Sequence, residues 1–394
     1  MTTVLLTGAT GFIGGATLAH GLSHDPDWHW ICLVRGKGEE QARARLAENL
    51  GRFMGADAAR KAIRRVEIVV GDITVPASLE DGRLDAVTHI LHLAADTSFR
   101  AQELCHLINV EGTRALAARA RRMPYLHRFL YGGTAMICGR NPPPVVRESD
   151  APAEAAQHLV PYTRTKVAAE AMLRQEFADL PVVMVRPSIV TGHRTLGCIP
   201  SSSIFWMFRA GDRLRLVTGE LAGGIDVVPV DWTAEVLVGL LAKPTLAHDV
   251  YHLSAGEAKR TTWDSLAAAF ERCDPQGGPR RYSRFDDGDW KTLRARFQAV
   301  FGLDQPIKLA MLRAMRAYYQ FSTLGVVFAN ERLTAEGFSL PPTLSDYLPA
   351  CLSAPANLSI LDQFADDLGM FDEAPVNREN SVQELSVQPD SVAA

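Results

Sequence analysis

Apolar residues fall along this chain in blocks rather than in strict alternation. Residues 4–7, 29–34, 66–70, 86–93, 129–132 and 182–186 form short, nearly continuous apolar runs. The intervals at 12–23, 39–50, 56–65, 108–122 and 162–177 carry helical spacing. Strands apolar on both faces and separated by helices predict an α/β fold, a doubly wound parallel sheet covered on both sides. Beyond about residue 193 the regularity weakens. Residues 227–230 and 250–253 still read as strands, 233–242 as an apolar helix and 262–370 as mostly helical. The pattern predicts a nucleotide-binding domain at 1–193 plus about 225–258. A smaller, mostly helical, discontinuous substrate-side domain follows at about 194–224 plus 259–372.

Composition narrows the class. Of 394 residues, 47% are hydrophobic and 22% charged, ordinary values for a chain that buries a core without staples. The formal net charge is −4, from 41 basic and 45 acidic residues, which excludes a nucleic-acid footprint. Residues 372–394 hold five acids and one base, so the tail carries as much net charge as the whole chain and the rest is near neutral. This acidic tail, 373–394, is expected to be disordered. The cysteines at 32, 105, 138, 198, 273 and 351 include no C-x-x-C pair, so they read as small buried hydrophobes in a reducing compartment. The N-terminus lacks the basic and apolar regions of a signal peptide, and no apolar run approaches membrane-spanning length. The expectation is a cytoplasmic protein with no transmembrane segment and no metal.

Five places carry candidate chemistry. Thr7-Gly8-Ala9-Thr10-Gly11-Phe12-Ile13-Gly14 joins the first strand to the first helix. Glycines at 8, 11 and 14 allow a tight turn, close approach of a pyrophosphate and close helix packing, which is the Rossmann pattern. At the end of the second strand stands Arg35, with Lys37, Arg43 and Arg45 behind it. A guanidinium there suits a 2′-phosphate, so NADPH/NADP is expected over NAD. Asp72, after the third strand, either accepts from an adenine amino group or caps a turn. Tyr162 and Lys166 lie at i and i+4, on one helix face. An ammonium beside a phenol is expected to lower its pKa for proton transfer to a carbonyl oxygen. Thr134, just past a strand, offers a hydroxyl to that oxygen. Phe205, Trp206, Met207 and Phe208 suit either an apolar substrate wall or the core of the smaller domain.

Together these residues resemble an extended short-chain dehydrogenase/reductase over residues 1 to about 255. The resemblance implies a catalytic set of Thr134, Tyr162, Lys166 and Asn109. It implies a cofactor site of Gly8, Thr10, Gly11, Phe12, Ile13, Gly14, Arg35, Arg45, Asp72, Ile73, Ala94, Ala95, Tyr162, Lys166, Pro187, Ser188 and Ile189. A narrower resemblance, carried by Cys-Leu-Val-Arg35, Gly-Asp-Ile-Thr74, His-Leu-Ala-Ala-Asp-Thr-Ser-Phe99, Val-Arg-Pro-Ser-Ile-Val190 and Asp-Val-Val-Pro-Val-Asp231, is to the branch with fatty acyl-CoA reductases and thioester reductase domains. Tyr-Gly-Gly before Thr134 departs from the serine and apolar residue usual in that branch. The resemblance implies NADPH-dependent reduction of an acyl thioester to an aldehyde or alcohol. With no adenylation or carrier segment in the sequence, the substrate is expected as acyl-CoA or on a separate acyl carrier protein. A homodimer is compatible with the resemblance. The alternatives are a ketone or aldehyde reductase, a nucleotide-sugar epimerase, and a non-catalytic NADP(H)-sensing scaffold.

Overall fold

The computed structural model describes residues 1–367, except 26, 98–101, 152–155, 202, 219–222, 286–288 and 354–357. Residues 98–99 of the motif ending at Phe99, and the acidic tail, lie outside the described residues.

Seven parallel strands form the main sheet: β1 (Thr3–Thr7), β2 (His29–Val34), β3 (Val66–Val70), β4 (His89–His92), β5 (Arg128–Gly132), β6 (Val182–Pro187) and β7 (Val250–Leu253). Their spatial order is β7-β6-β5-β4-β1-β2-β3. The order reverses beside β1, which pairs with β2 on one side and β4 on the other. In such sheets the crevice outside the carboxyl ends of the strands is the binding edge. β1 is buried along its whole length, as its apolar run requires.

Five helices cover the sheet: α1 (Phe12–His24), α2 (Glu39–Met54), α3 (Thr113–Ala120), α4 (Pro161–Glu176) and α5 (Val230–Ala242). Leu18 and Leu22 of α1, Leu46 and Leu50 of α2 and Trp232, Val236 and Leu240 of α5 share one apolar layer. Leu116 and Ala120 of α3 and Ala169, Met172 and Leu173 of α4 form the layer on the other face.

Several boundaries differ from those the sequence predicts. Strand β4 begins at His89, because Gly82–Ala86 closes a 3-10 turn capped by Asp81. The run 227–230 adds no strand to the main sheet. Val227–Val228 pairs in parallel with Ile189–Val190 as a separate two-stranded piece, and Pro229 then caps α5. Proline suits the position just before a helix because it has no N–H to leave unpaired.

The chain forms two compact units. One comprises Met1–Val190, Asp226–Arg260 and Val326–Thr343; the other holds Thr191–Ile225, Thr261–Gly325 and Leu344–Ala394. Residues 259–372 therefore do not stay together, contrary to expectation. Within the first unit, Val327–Phe328 pairs with Val145–Val146, and Asn330 Nδ2 donates to Ser254 O at 2.8 Å. The second unit is mostly helical, with a core of Trp206, Leu214, Leu293, Phe297, Met311, Met315 and Phe364. Trp206 and Phe205 are fully buried, and Trp206 Nε1 donates to Asp367 at 2.9 Å. The aromatic run at 205–208 is thus anchored as core and does not present Phe205 or Trp206 as an open wall.

Candidate active site

Every strand-end segment singled out from the sequence lies at the carboxyl edge of the sheet. Gly8 follows β1 with a φ of 77°, and its place against Ala94 leaves no room for a side chain: a Cβ would meet Ala94 N at 2.7 Å. A Cβ on Gly14 would lie 2.1 Å from Gly8 O, so α1 can start this close to the turn only with glycine there. Gly11 N donates to Gly8 O at 2.9 Å, and Gly11 caps α1 with no side-chain acceptor. The first-turn N–H groups of Phe12, Ile13 and Gly14 thus keep the positive end of the helix open to an anion. Thr10, Phe12 and Ile13 line this start, and the Phe12 ring stacks on Phe53. This glycine-lined cradle and its donors fit the pyrophosphate of a nicotinamide dinucleotide.

Asn49 completes the loop, and sequence reasoning misses it. It is buried on α2 and donates through Nδ2 to Ala9 O at 2.9 Å and Gly11 O at 3.1 Å. One amide thus satisfies two carbonyls of the glycine turn. The only signal in the sequence is an asparagine inside a helix.

Arg35 and Arg45 come together: Arg45 Nη1 donates to Arg35 O at 2.8 Å, and both side chains are exposed. Asp72 Oδ1 accepts from Thr74 N at 2.9 Å and Thr74 Oγ1 at 2.8 Å, a turn-capping arrangement. Ile73 is buried in the core, with its side chain against Gly112. Ala94 and Ala95 are half-buried after β4. Pro187 and Ser188 are buried, and Ile189 N donates to Asp226 O at 3.4 Å. The buried Asp226 carboxylate accepts from Ala255 N at 2.8 Å and Gly256 N at 3.2 Å, and burial pushes its pKa up to about 6.

Thr134, Tyr162, Lys166 and Asn109 converge from β5, α4 and the segment before α3. Thr134 lies two residues past β5, near enough to the half-buried Tyr162 phenol to favour its ionised form, and its hydroxyl donates to Pro187 O at 3.5 Å. It also accepts from Met136 N at 3.3 Å, which anchors it. Proline at the first position of α4 fixes the helix start just before Tyr162. One turn on, buried Lys166 donates from Nζ to Gly132 O at 2.7 Å and lies 5.0 Å over the Tyr131 ring. Burial lowers the Lys166 pKa to about 7. Burial raises that of Tyr162 to about 12, against the opposing effect of Thr134. Desolvation is the largest effect on the phenol, whose ring centre lies 6.0 Å from Lys166 Nζ.

Asn109 sits in a π turn, Leu107–Gly112, that runs directly into α3. Such widened turns recur at functional sites. Asn109 Oδ1 accepts from Asp96 N at 2.8 Å, and Nδ2 donates to Asp96 O and Thr165 Oγ1, each at 2.9 Å. Thr165 in turn donates to Tyr162 O at 2.8 Å. The asparagine thus ties the loop after β4 to the helix that carries the phenol. Among the described residues no cluster suits a metal ion, and no helix is long and apolar enough to cross a membrane.

Comparison with known proteins places this arrangement. Residues 6–237 match the NAD-binding family described as "Male sterility protein". A linear gramicidin synthase of Brevibacillus parabrevis is 30% identical over 279 residues, covering 68% of this chain but 5% of that protein. Fatty acyl-CoA reductase 1 of Xenopus laevis is 30% identical over 220 residues, 48% of this chain and 43% of that one. The chain thus matches less than half the length of either relative. In fold, it is similar to the terminal R domain of the myxalamid PKS-NRPS pathway, with a TM-score of 0.73, 24% identity and 91% of each chain covered. The chain belongs to the male sterility NAD-binding family, in the extended short-chain dehydrogenase/reductase branch with the fatty acyl-CoA reductases and terminal reductase domains.

Proposed function

We propose that this protein is an NADPH-dependent reductase that converts an acyl thioester, acyl-CoA or carrier-bound, to an aldehyde or alcohol. The observation that carries the reading is the meeting of Thr134, Tyr162 and Lys166 at the carboxyl edge of a sheet whose first turn is a glycine cradle. The glycine loop would hold the pyrophosphate, with Arg35 and Arg45 for a 2′-phosphate. When bound, NADPH supplies a hydride for the carbonyl carbon.

The chain's own groups handle the oxygen and its proton. Thr134 Oγ1 orients the carbonyl oxygen, and Tyr162 OH gives it a proton as negative charge develops there. Lys166, whose pKa lies near 7, returns a proton to the site. Asn109 holds the Tyr162 helix against the loop after β4. With a thioester, the resulting hemithioacetal collapses, the C–S bond breaks, and aldehyde and thiol leave.

Purified protein is to be given NADPH with a panel of acyl-CoAs and a panel of ketones and aldehydes, following absorbance and free thiol. Acyl-CoA turnover with thiol release is expected, falling about 10²–10⁴-fold in Tyr162→Phe. Turnover of ketones alone would overturn the thioester reading and leave a carbonyl reductase.

A further inference from the structure

At the end of β4, buried His92 lies between hydroxyls on two other segments. Its Nδ1 is 2.6 Å from Thr7 Oγ1 on β1, and its Nε2 is 2.9 Å from Thr113 Oγ1 at the start of α3. The direction of each bond is forced. Thr113 has one hydroxyl proton, which goes to Asn109 O at 2.7 Å, and a carbonyl can only accept. Thr113 Oγ1 must therefore accept from His92, so Nε2 bears the imidazole proton. Burial, with a smaller effect from Lys166, pulls the His92 pKa down to about 3, which keeps the ring neutral. Nδ1 is then an acceptor. Thr7 donates to it and accepts from Ala94 N at 3.2 Å. Only one tautomer satisfies every member, and the rings of Phe129 and Tyr131 flank the imidazole.

We propose that His92, with Thr7 and Thr113, is a positioning residue of the reductase site, clamping the loop at Ala94 to the π turn that carries Asn109. The idea rests on the functional reading above. The clamp joins two parts that the reaction needs in register. Ala94 touches the glycine turn, and Asn109 holds Asp96 and, through Thr165, the backbone of Tyr162. Breaking the hydrogen-bond relay at either hydroxyl releases the same register.

Two measurements test it. In ¹⁵N-histidine NMR of the ligand-free protein, one imidazole is expected with Nδ1 unprotonated and Nε2 protonated, unchanged from pH 8 to 5 and missing in His92→Gln. A protonated Nδ1 at this histidine, or titration near the ordinary histidine value, overturns the clamp. In kinetics, Thr7→Val and Thr113→Val are each expected to lower kcat on the order of tenfold, with substrate KM unchanged. The double variant should be no worse than either, and Thr113→Ser should restore the rate. Losses that multiply, or a Thr113→Ser variant as slow as Thr113→Val, also overturn it. A wild type that oxidises no NADPH on any substrate removes the functional reading, and the NMR signature still decides whether the clamp exists.

Discussion

Lys166 holds its place at the expense of its charge. It is 3% exposed, and burial moves its pKa from 10.5 to about 7. Between those values the unfolded chain holds a proton that the folded chain has released, so stability through this residue rises with pH across that window. Below pH 7 the penalty of burying the ammonium is complete. Lys166→Met removes that penalty, so the Tm of the variant minus that of the wild type should be largest at pH 6 and shrink by pH 9.5. A difference that stays flat with pH would mean Lys166 remains an ammonium throughout. At this scale, what the sequence reveals is what is local. Gly8, Gly11 and Gly14 lie within one turn and helix start, and Tyr162 and Lys166 within one helical turn. Asn49 acts on carbonyls 38 and 40 residues away, and His92 binds Thr7 across 85 residues. No spacing rule reaches that far.

Elements are legible where burial dictates their period. The six apolar runs of the first half all contribute strands to one parallel sheet, because covering both faces demands continuous apolar sequence. The π turn at Asn109 is not legible, since it adds one residue to a helical turn without changing which residues are apolar. Helix ends show a similar limit. The carboxyl end of α5 is closed by Arg128 from β5, whose Nη1 donates to Leu240 O, Leu241 O and Lys243 O. Nothing near residue 240 announces this cap. Arg128→Leu leaves those carbonyls without their charged donor and should cost about 2–3 kcal/mol in urea unfolding. A loss below about 0.5 kcal/mol would mean other donors can close the helix.

For the whole molecule, each unit has its own core, and the candidate chemistry falls in one of them. The glycine turn, Arg35, Thr134, Tyr162, Lys166 and the His92 relay all lie in the unit that includes Met1–Val190. Trp206 anchors the core of the other unit. Trp206→Ala should therefore destabilise that core by about 3–5 kcal/mol, while NADPH affinity in the folded variant stays within about twofold of the wild type. A larger loss of affinity would place cofactor-binding groups outside the first unit.

The discontinuity of the first unit also bears on how the protein is made. Its sheet takes β7 from Val250–Leu253, and its last stretch is Val326–Thr343, well after the Rossmann core is encoded. At 5–20 residues per second, a ribosome needs roughly 8–30 s to pass from Val190 to Thr343. For the early part of that interval the nascent chain carries β6 as an open parallel edge, with no β7 to pair with it. An unpaired edge of this kind is where strands from neighbouring chains add. Slower synthesis between those two points lengthens the time that edge stays open.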